Sequence, residues 1–404
     1  MSTPEELTRS ILKTHEQDLL SVVRKIHQTP ELSEKETRAC AWQTDLLKAW
    51  GFSVETGYKG LATAFNATAG QNGPHICFMA EYDALPGMGH GCGHNLIAGV
   101  ALGAGVVVKN LLAHHHLPGR VTVMGTPAEE QRGAKIDLIK AGALKDVDLV
   151  LMAHPSDDAT SPYAGESGIR QFMVSYTGKT AHAADCPEKG INALDALRLL
   201  FNGVDAWRQQ LTETSRVHGV IRDGGQAPNI IPDFARAEFY LRDFDLNFLD
   251  QMQVRFENIA KGAALMTDTT LKFSAIPNPY KPGIPNDPLN QAFFSLARDA
   301  GMQPKWSEPS RASSDFGDVT YEVPAMHAYF NITQDDPGII IHSREFSQAA
   351  ATDFAFSQMK KIARILAQIA WQFLTEQDFR HKVKEAFHFD KKRTLPRPDT
   401  SRLS

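Results

Sequence analysis

Apolar residues recur at helical spacing over residues 4–28 and again from about Lys35 to Trp50. Such a period is typical of amphipathic helices. Short apolar runs follow, separated by longer helical patterns, and they include HICFMAEYDAL, RVTVMGT and DLVLMAH. This alternation predicts an α/β fold with a central, mostly parallel sheet flanked by helices. A final long helix is predicted from about Ser347.

The pattern changes after Gly168, where a strand, a helix, two strands, a helix and a strand follow one another. This βαββαβ order is typical of a ferredoxin-like unit. The segment PNPYKPGIPNDP, residues 277–288, is rich in proline and marks the return to the first domain. The predicted organisation is a first domain in two parts (1–168 and 279–390), an inserted domain (169–278) and a flexible, charged tail (391–404).

The charge balance and the apolar runs narrow the class of protein. The 404 residues include 42 Lys and Arg against 47 Asp and Glu, a net charge of −5, which argues against a nucleic-acid partner. The longest apolar run, Leu96 to Val108, is shorter than the roughly 20 residues of a membrane span. The first 30 residues carry charges throughout and do not resemble a secretory signal. We therefore expect a cytoplasmic protein with no membrane partner.

The loop GMGHGCGHN, residues 87–95, allows two interpretations. A dinucleotide loop requires a third glycine where His94 stands, and no P-loop lysine follows. As a metal loop it offers Cys92 and His94, and the surrounding glycines would let the backbone bring thiolate and imidazole to one point. On these residues alone, a metal site and a glycine-rich turn with a buried cysteine remain equally open.

Three further features stand where predicted strands end. Glu129 and Glu130 follow RVTVMGT, so one carboxylate could bind a metal while the other accepts a proton, or both could open a helix. His154 ends DLVLMAH and His342 follows the apolar run GIII. A single histidine of this kind is more often structural than a ligand. Together, however, the four features favour a borderline metal such as zinc, with manganese or cobalt possible.

Five segments in order, EYDALPGMGHGCGHN, TPAEE, GKTAHA, APNIIP and IHSREF, resemble the aminoacylase/carboxypeptidase family of two-metal metallopeptidases, in its N-acyl-amino-acid amidohydrolase branch. The residues in these segments are most similar to those of the subgroup of p-aminobenzoyl-glutamate hydrolases and β-alanyl-lysine dipeptidase-like proteins. The resemblance implies two divalent metal ions per subunit. It implies the following ligands: Cys92, His94, Glu130, His154 and His342.

The resemblance also implies roles for other residues. Glu129 would be the general base, Asp83 would orient a ligand, and His182 from the inserted domain would polarise the scissile carbonyl. Asn229 would help to hold the substrate, and Arg242 could clamp a substrate carboxylate, since arginine binds carboxylates through two hydrogen bonds.

Two positions in the loop region depart from related sequences. Many members of this branch have aspartate where Asn95 stands, and members outside the branch have a histidine ligand where Glu81 stands. Asn95 could replace the aspartate as a neutral hydrogen-bonding group. Glu81 is a further possible ligand.

The expected function is metal-dependent hydrolysis of the amide bond of N-acyl amino acids or small dipeptides that carry a free carboxylate. The resemblance implies that the inserted domain is a lid and that two subunits pair through it. The alternative is a non-catalytic protein of the same fold that binds metal and an amino-acid conjugate. Glu129 disfavours it, because a protein that only binds has no need of a base beside the metal.

Overall fold

The computed structural model describes residues 3–390, so the tail predicted at 391–404 lies outside the described residues. Within this range the chain forms two compact units. The interrupted unit comprises residues 3–165, 284–309 and 314–390, and the inserted unit comprises residues 166–283 and 310–313.

Each unit contains one sheet. The interrupted unit contributes six strands: β1 (Ser53–Thr56), β2 (Phe65–Gln71), β3 (His75–Ala80), β4 (Gly119–Gly125), β5 (Leu149–Ser156) and β10 (Ala325–Asn331). The inserted unit contributes four: β6 (Gly168–Thr177), β7 (Arg216–Asp223), β8 (Phe234–Asp243) and β9 (Thr270–Ala275).

Helices surround both sheets. The interrupted unit contains α1 (Pro4–Gln28), α2 (Thr37–Ala49), α3 (His94–His114), α4 (Ala134–Lys140), α7 (Asp287–Asp299), α8 (Phe316–Val319), α9 (Arg344–Ala349), α10 (Asp353–Thr375) and α11 (Gln377–Asp390). The inserted unit contains α5 (Ala193–Trp207) and α6 (Leu246–Thr267).

The sheet of the interrupted unit has the strand order β1-β2-β4-β3-β5-β10. Strands β4, β3, β5 and β10 are parallel, whereas β2 and β1 continue the sheet in antiparallel pairing. All six residues of β3 are buried, as expected for a central parallel strand covered on both faces. The predicted mostly parallel α/β sheet is therefore confirmed.

Helix α3 lies at the centre of this unit. By length and apolar composition it could cross a membrane, but most of it is buried inside the protein, as core helices are. A Cβ atom built on Gly99 would lie 2.2 Å from the Met359 sulfur of α10, so this glycine allows the two helices to approach closely. The packed helix presents its first residue, His94, at the carboxyl edge of the sheet.

The prediction of one continuous final helix from about Ser347 is wrong. The chain forms α9, α10 and α11 instead. The side chain of Thr352 accepts a hydrogen bond from the amide of Ala355 and so begins α10 as a new helix.

The inserted unit has the antiparallel order β7-β8-β6-β9, and its βαββαβ sequence of elements matches the predicted ferredoxin-like arrangement. Helices α5 and α6 pack against this sheet in one hydrophobic core that includes Phe172, Phe239 and Phe256. The unit runs over 166–283, against 169–278 expected from the sequence, and it also takes in 310–313.

Candidate metal centre

Three parallel strands lead into one cluster of polar residues. Glu81 and Asp83 follow β3, Glu129 and Glu130 follow β4, and His154 lies near the carboxyl end of β5. Because β4, β3 and β5 are neighbours with the same direction, their carboxyl ends meet at one edge of the sheet. This topology explains why residues distant in sequence can share a site.

The structure brings all five predicted ligands together. The Cys92 sulfur lies 3.2 Å from Nε2 of His342 and 3.6 Å from Nε2 of His154. Nε2 of His94 lies 3.8 Å from Oε1 of Glu130. Their donor atoms, with that of Glu129, fall into three overlapping groups, each with all members within 4.8 Å of one another: Cys92, His94 and His154; Cys92, Glu130 and His342; His94, Glu129 and Glu130.

Asp83 orients two of these residues. Its Oδ1 lies 3.0 Å from Nδ1 of His94, which leaves Nε2 of that ring facing the cluster. Its Oδ2 accepts hydrogen bonds from the Ser33 hydroxyl at 2.8 Å and from the backbone amide of Glu130 at 3.1 Å. Nδ1 of His154 is likewise 2.6 Å from the carbonyl oxygen of Pro155, so its Nε2 also faces the cluster. Both rings are thus held in the tautomer that a metal ligand needs.

Backbone contacts hold the ligand loops against one another. The amide of His342 donates a hydrogen bond to the carbonyl of Gly91 at 2.9 Å, which fixes the late histidine beside the cysteine loop. Gly93 has a φ of 73°, and a Cβ atom there would lie 2.8 Å from Cγ of Pro155. This position therefore requires glycine both for its conformation and for its contact with the neighbour of His154.

The donor set fits a divalent metal ion. Nε2 of His94 and Oε1 of Glu130 are buried, and neither makes a hydrogen bond to any part of the chain from residue 3 to 390. Unpaired polar atoms are costly in a protein interior, and a coordinated cation would compensate both at once. Thiolate, imidazole and carboxylate are the ligands that zinc prefers, and manganese or cobalt accept a similar set.

The electrostatics of the metal-free cluster favour retained protons on Cys92 and Glu129, but loss of the proton from His154 and Asp83. Burial raises the pKa of the Cys92 thiol well above its usual range, and burial beside Glu81 and Glu130 does the same to the pKa of Glu129. Burial lowers the pKa of His154 to about 4. Burial opposes ionisation of Asp83 too, but its hydrogen bond to His94 outweighs this and lowers the pKa to about 2. Since metal ligands bind deprotonated, metal uptake here should release protons.

One buried charged group beside the cluster, Lys135, is not predicted from the sequence. The ammonium group of Lys135 lies 2.5 Å from Oε1 of Glu81 and 2.6 Å from Oδ1 of Asp315, and all three side chains are buried. Burial disfavours the charge, but the two carboxylates outweigh it and raise the pKa of Lys135. Glu81 therefore turns one oxygen to Lys135, and its other oxygen lies 3.4 Å from Nε2 of His94. The only signal in the sequence was the position of Lys135 just after TPAEE.

Asn95 makes a contact away from the ligands. Its side-chain amide donates a hydrogen bond to the carbonyl of Ala350 at 3.0 Å. An aspartate in this orientation would place a carboxylate against a carbonyl oxygen. The asparagine thus acts as a hydrogen-bond donor to the backbone. From the sequence it was expected to be a neutral hydrogen-bonding partner of a metal ligand.

The predicted substrate residues lie in the inserted unit. His182 is exposed, and its Nδ1 accepts hydrogen bonds from the amides of Ala184 and Asp185 at 3.3 and 3.1 Å. A neutral ring held this way carries its proton on Nε2 and can donate from it. Asn229 is adjacent, because its carbonyl accepts a hydrogen bond from the amide of Ala183 at 2.9 Å.

Arg242 lies elsewhere in the inserted unit, on β8. Its guanidinium donates a hydrogen bond to the Ser313 hydroxyl at 2.8 Å and lies 6.0 Å from the ring centroid of Tyr240. The side chain is partly buried, and burial lowers its pKa. The guanidinium of Arg242 is thus held in place by Ser313, and it has further N–H groups that could donate to a ligand.

Fold and donor set together are typical of a metallopeptidase, and comparison with known proteins identifies the family. The model of peptidase family M20/M25/M40 matches residues 77–385, and the chain belongs to this family. The predicted family resemblance is confirmed. So is the prediction of a metallopeptidase that acts on amide bonds, over the non-catalytic alternative.

Individual relatives cover most of the chain. It is 36% identical over 382 residues to a Xaa-Arg dipeptidase of Mus musculus, a match that covers 90% of this chain and 87% of the relative. It is 30% identical over 326 residues to one of the subunits of p-aminobenzoyl-glutamate hydrolase from Escherichia coli (strain K12), covering 74% and 66%. A solved dinuclear metal-binding peptidase of family M20 from Bacillus subtilis shares the fold, with a TM-score of 0.65, 20% identity, and coverage of 88% and 99%.

Proposed function

We propose that this protein hydrolyses the amide bond of dipeptides or N-acyl amino acids with a free carboxylate, using two divalent metal ions. One observation carries the proposal: Glu129 stands beside Glu130 at the end of β4, where five ligand side chains meet. Cys92, His94, Glu130, His154 and His342 would hold the ions, and the dinuclear relative of the same fold supports a count of two. Zinc suits the thiolate and imidazole ligands best.

The proposed reaction assigns a task to each side chain. When bound, divalent ions lower the pKa of water and polarise a carbonyl oxygen. Glu129 accepts the proton that the attacking water loses as its oxygen bonds to the carbonyl carbon. Glu129 then gives this proton to the nitrogen as the C–N bond breaks, so the products are a carboxylic acid and an amine, and transfer of the remaining water proton between them gives a carboxylate and an ammonium ion. Asp83 keeps His94 and the backbone of Glu130 in place throughout.

The inserted unit would act as a lid that supplies substrate contacts. Nε2–H of His182 is available as a donor and would stabilise the negative charge that develops on the carbonyl oxygen. Asn229 and Arg242 would hold the substrate carboxylate, Arg242 through paired hydrogen bonds. Closure of such a lid excludes water from the reaction.

The relatives indicate which substrates to test first. The match to a Xaa-Arg dipeptidase supports dipeptides with arginine at the carboxyl end. The subgroup resemblance of the sequence adds β-alanyl-lysine to the dipeptides to be tested. The match to a p-aminobenzoyl-glutamate hydrolase supports N-acyl glutamates as the next class.

We also infer a homodimer formed through the inserted unit. Strand β7 pairs with β8 along one side, and it stands at the edge of the sheet described for this unit. Its Val220 and Ile221 are 48% and 46% exposed, and Ile230 and Phe234 nearby in sequence are 45% and 42% exposed. An exposed strand edge can pair with another chain, and exposed apolar residues clustered there are typical of a protein–protein interface. Sedimentation velocity that shows only monomer at all concentrations would overturn this inference.

The deciding experiment measures amine release from β-alanyl-lysine, Xaa-Arg dipeptides, aminobenzoyl-glutamate and N-acetyl amino acids. Each assay is run with zinc-loaded protein, with protein treated with a chelator, and with zinc restored. We expect release that the chelator abolishes and zinc restores. Absence of release from every substrate by protein with full zinc occupancy would refute the proposed function.

A further inference from the structure

A short segment, residues 31–36, lies behind the turn that carries Glu129. Two of its buried side chains have recognisable structural partners. The carboxylate of Glu31 accepts hydrogen bonds from the backbone amides of Arg38 and Ala39, both at 2.9 Å, and so caps the first turn of α2. The hydroxyl of Ser33 donates a hydrogen bond to Asp83.

Glu36 is the third buried side chain of the segment, and it has a different partner. Although Glu36 stands at the N-cap position of α2, its side chain makes no hydrogen bond to the helix. Its Oε1 accepts hydrogen bonds from the amides of Ala128 and Glu34, both at 2.9 Å, and its Oε2 accepts one from the Thr63 hydroxyl at 3.0 Å. Glu31 already caps the helix. The carboxylate of Glu36 instead bonds to the turn at Ala128, which is 92 residues away in sequence.

The turn that Glu36 holds is strained. Ala128 has a φ of 57°, in the left-handed region that costs a residue with a Cβ atom about 1–2 kcal/mol. Its carbonyl accepts hydrogen bonds from the amides of Arg132 and Gly133 at 3.1 and 3.0 Å, which closes the turn around Glu129 and Glu130. Strained residues persist where their surroundings hold them, and they concentrate at functional sites.

We propose that Glu36 is a positioning residue for catalysis, because its carboxylate holds the amide of Ala128 and so fixes the left-handed turn that directs Glu129 and Glu130 to the metal centre. This inference rests on the proposed function of Glu129. Glu36 acts on Glu129 and Glu130 through the backbone, since its carboxylate accepts a hydrogen bond from the amide of Ala128, the residue before Glu129.

A conservative substitution should preserve this contact. Burial raises the pKa of Glu36 to about 7, so the neutral form is accessible near neutral pH. Glutamine keeps an oxygen that can accept from both amides, and its NH₂ group can donate to the Thr63 hydroxyl. Alanine keeps neither group and leaves the amide of Ala128 buried without a partner.

The test compares Glu36→Ala, Glu36→Gln and the control Glu31→Ala in the full-length, zinc-loaded protein. Three quantities are measured: deuterium uptake of residues 126–133, zinc affinity by competition with a chromogenic chelator, and kcat and KM for β-alanyl-lysine or whichever substrate the panel yields. For Glu36→Ala we expect faster uptake in the turn, zinc affinity lower by about tenfold and kcat lower by about 10²-fold at unchanged KM.

The two companion variants separate positioning from general destabilisation. Glu36→Gln should keep kcat within about threefold of wild type, because it retains the acceptor for the amide of Ala128. Glu31→Ala should lower the stability of the protein through loss of a helix cap but leave kcat, zinc affinity and uptake in the turn unchanged. If Glu36→Gln is as impaired as Glu36→Ala, or Glu31→Ala shows the same losses, the positioning role is refuted.

The outcomes also separate this inference from the proposed function. If the wild type hydrolyses no substrate, the proposed function fails, whereas deuterium uptake and zinc affinity still decide the role of Glu36. Unchanged uptake in the turn of Glu36→Ala would refute that role even in an active enzyme. If Glu36→Ala does not fold, Thr63→Val removes one hydrogen bond to the same carboxylate and should change all three quantities in the same direction, by less.

Discussion

The candidate functional residues of the two units differ in how firmly they are held. In the interrupted unit, His94 and His154 are buried or nearly so, and each uses its second ring nitrogen to contact a carboxylate or a carbonyl. In the inserted unit, His182 and Asn229 are exposed, and the hydrogen bonds that fix them leave Nε2 and the side-chain amide open.

Under the proposed function, this difference corresponds to a division of labour between the two units. Groups that must hold ions and move a proton are organised before substrate arrives, which removes the cost of arranging them during the reaction. Groups that recognise substrate remain accessible until it binds. Substitutions in the two units should therefore have different signatures, and the following experiments test that distinction from the largest effect to the smallest.

Glu129→Gln should lower kcat by about 10³ to 10⁴-fold, because a general acid–base group contributes up to that much and glutamine cannot carry the proton. Zinc stoichiometry, measured by elemental analysis, should stay at the wild-type value. Glu130→Gln is the matched neighbour and should instead lose zinc. Wild-type turnover by Glu129→Gln at full zinc occupancy would exclude this residue as the base.

His182→Ala should lower kcat by about 10² to 10³-fold, the usual cost of removing one donor to a developing oxyanion. In contrast to changes at the ligand histidines, its zinc affinity should equal that of the wild type. His381, whose side chain is 70% exposed on α11, offers a control, and His381→Ala should be unaffected in both assays. Zinc loss from His182→Ala would remove the distinction between the units.

Glu36 provides a pH test of the buried region. Its pKa rises from the ordinary 4.5 to about 7 on folding, because burial disfavours the charge. Between pH 4.5 and pH 7 the folded state therefore binds more protons than the unfolded state. The stabilisation that comes from protonated Glu36 in the folded state is lost as pH rises from 4.5 to 7. In urea unfolding of metal-free protein, the wild type should lose about 2 kcal/mol relative to Glu36→Gln between pH 5 and pH 8. Parallel pH profiles of the two proteins would contradict the raised pKa.

Asp83→Asn should weaken zinc binding by about tenfold, near the lower limit for loss of a group that orients a ligand. Asparagine keeps one oxygen for a hydrogen bond but no longer offers His94 a carboxylate. Ser33→Ala, which removes one hydrogen bond to Asp83, should have a smaller effect of the same sign. Competition with a chromogenic chelator measures both, and unchanged affinity in Asp83→Asn would show that His94 needs no such partner.

The sequence predicted the elements whose residues are consistently apolar. Strands β3, β4 and β5 were recognisable because buried parallel strands consist of continuous apolar runs. Strands β1 and β2 were missed, since SVET and FNATAGQ are short, partly exposed and rich in small or polar residues. Strand β2 pairs with β4, a long-range contact that local patterns do not encode, and β1 in turn pairs with β2.

The candidate site was predictable where chemistry follows a strand. The order of the segments indicated Cys92, His94, Glu129 and Glu130, and the structure brings these residues together. Lys135 was not predictable, because its partner Asp315 lies 180 residues away and a lysine on a helix is normally exposed. Glu36 was missed for a similar reason, since its contact with Ala128 depends on the tertiary fold.

The order in which residues are synthesised constrains when the candidate metal centre can form. Cys92 and His342 are 250 residues apart, and the whole inserted unit lies between them in sequence. During synthesis from the N-terminus, the first ligands emerge well before the last, and the inserted unit can fold in the interval. A complete set of the proposed ligands therefore exists only after residue 342 has been synthesised. Metal loading is expected to follow the synthesis of the inserted unit, and a nascent chain that stops before residue 342 should present an incomplete, weaker site.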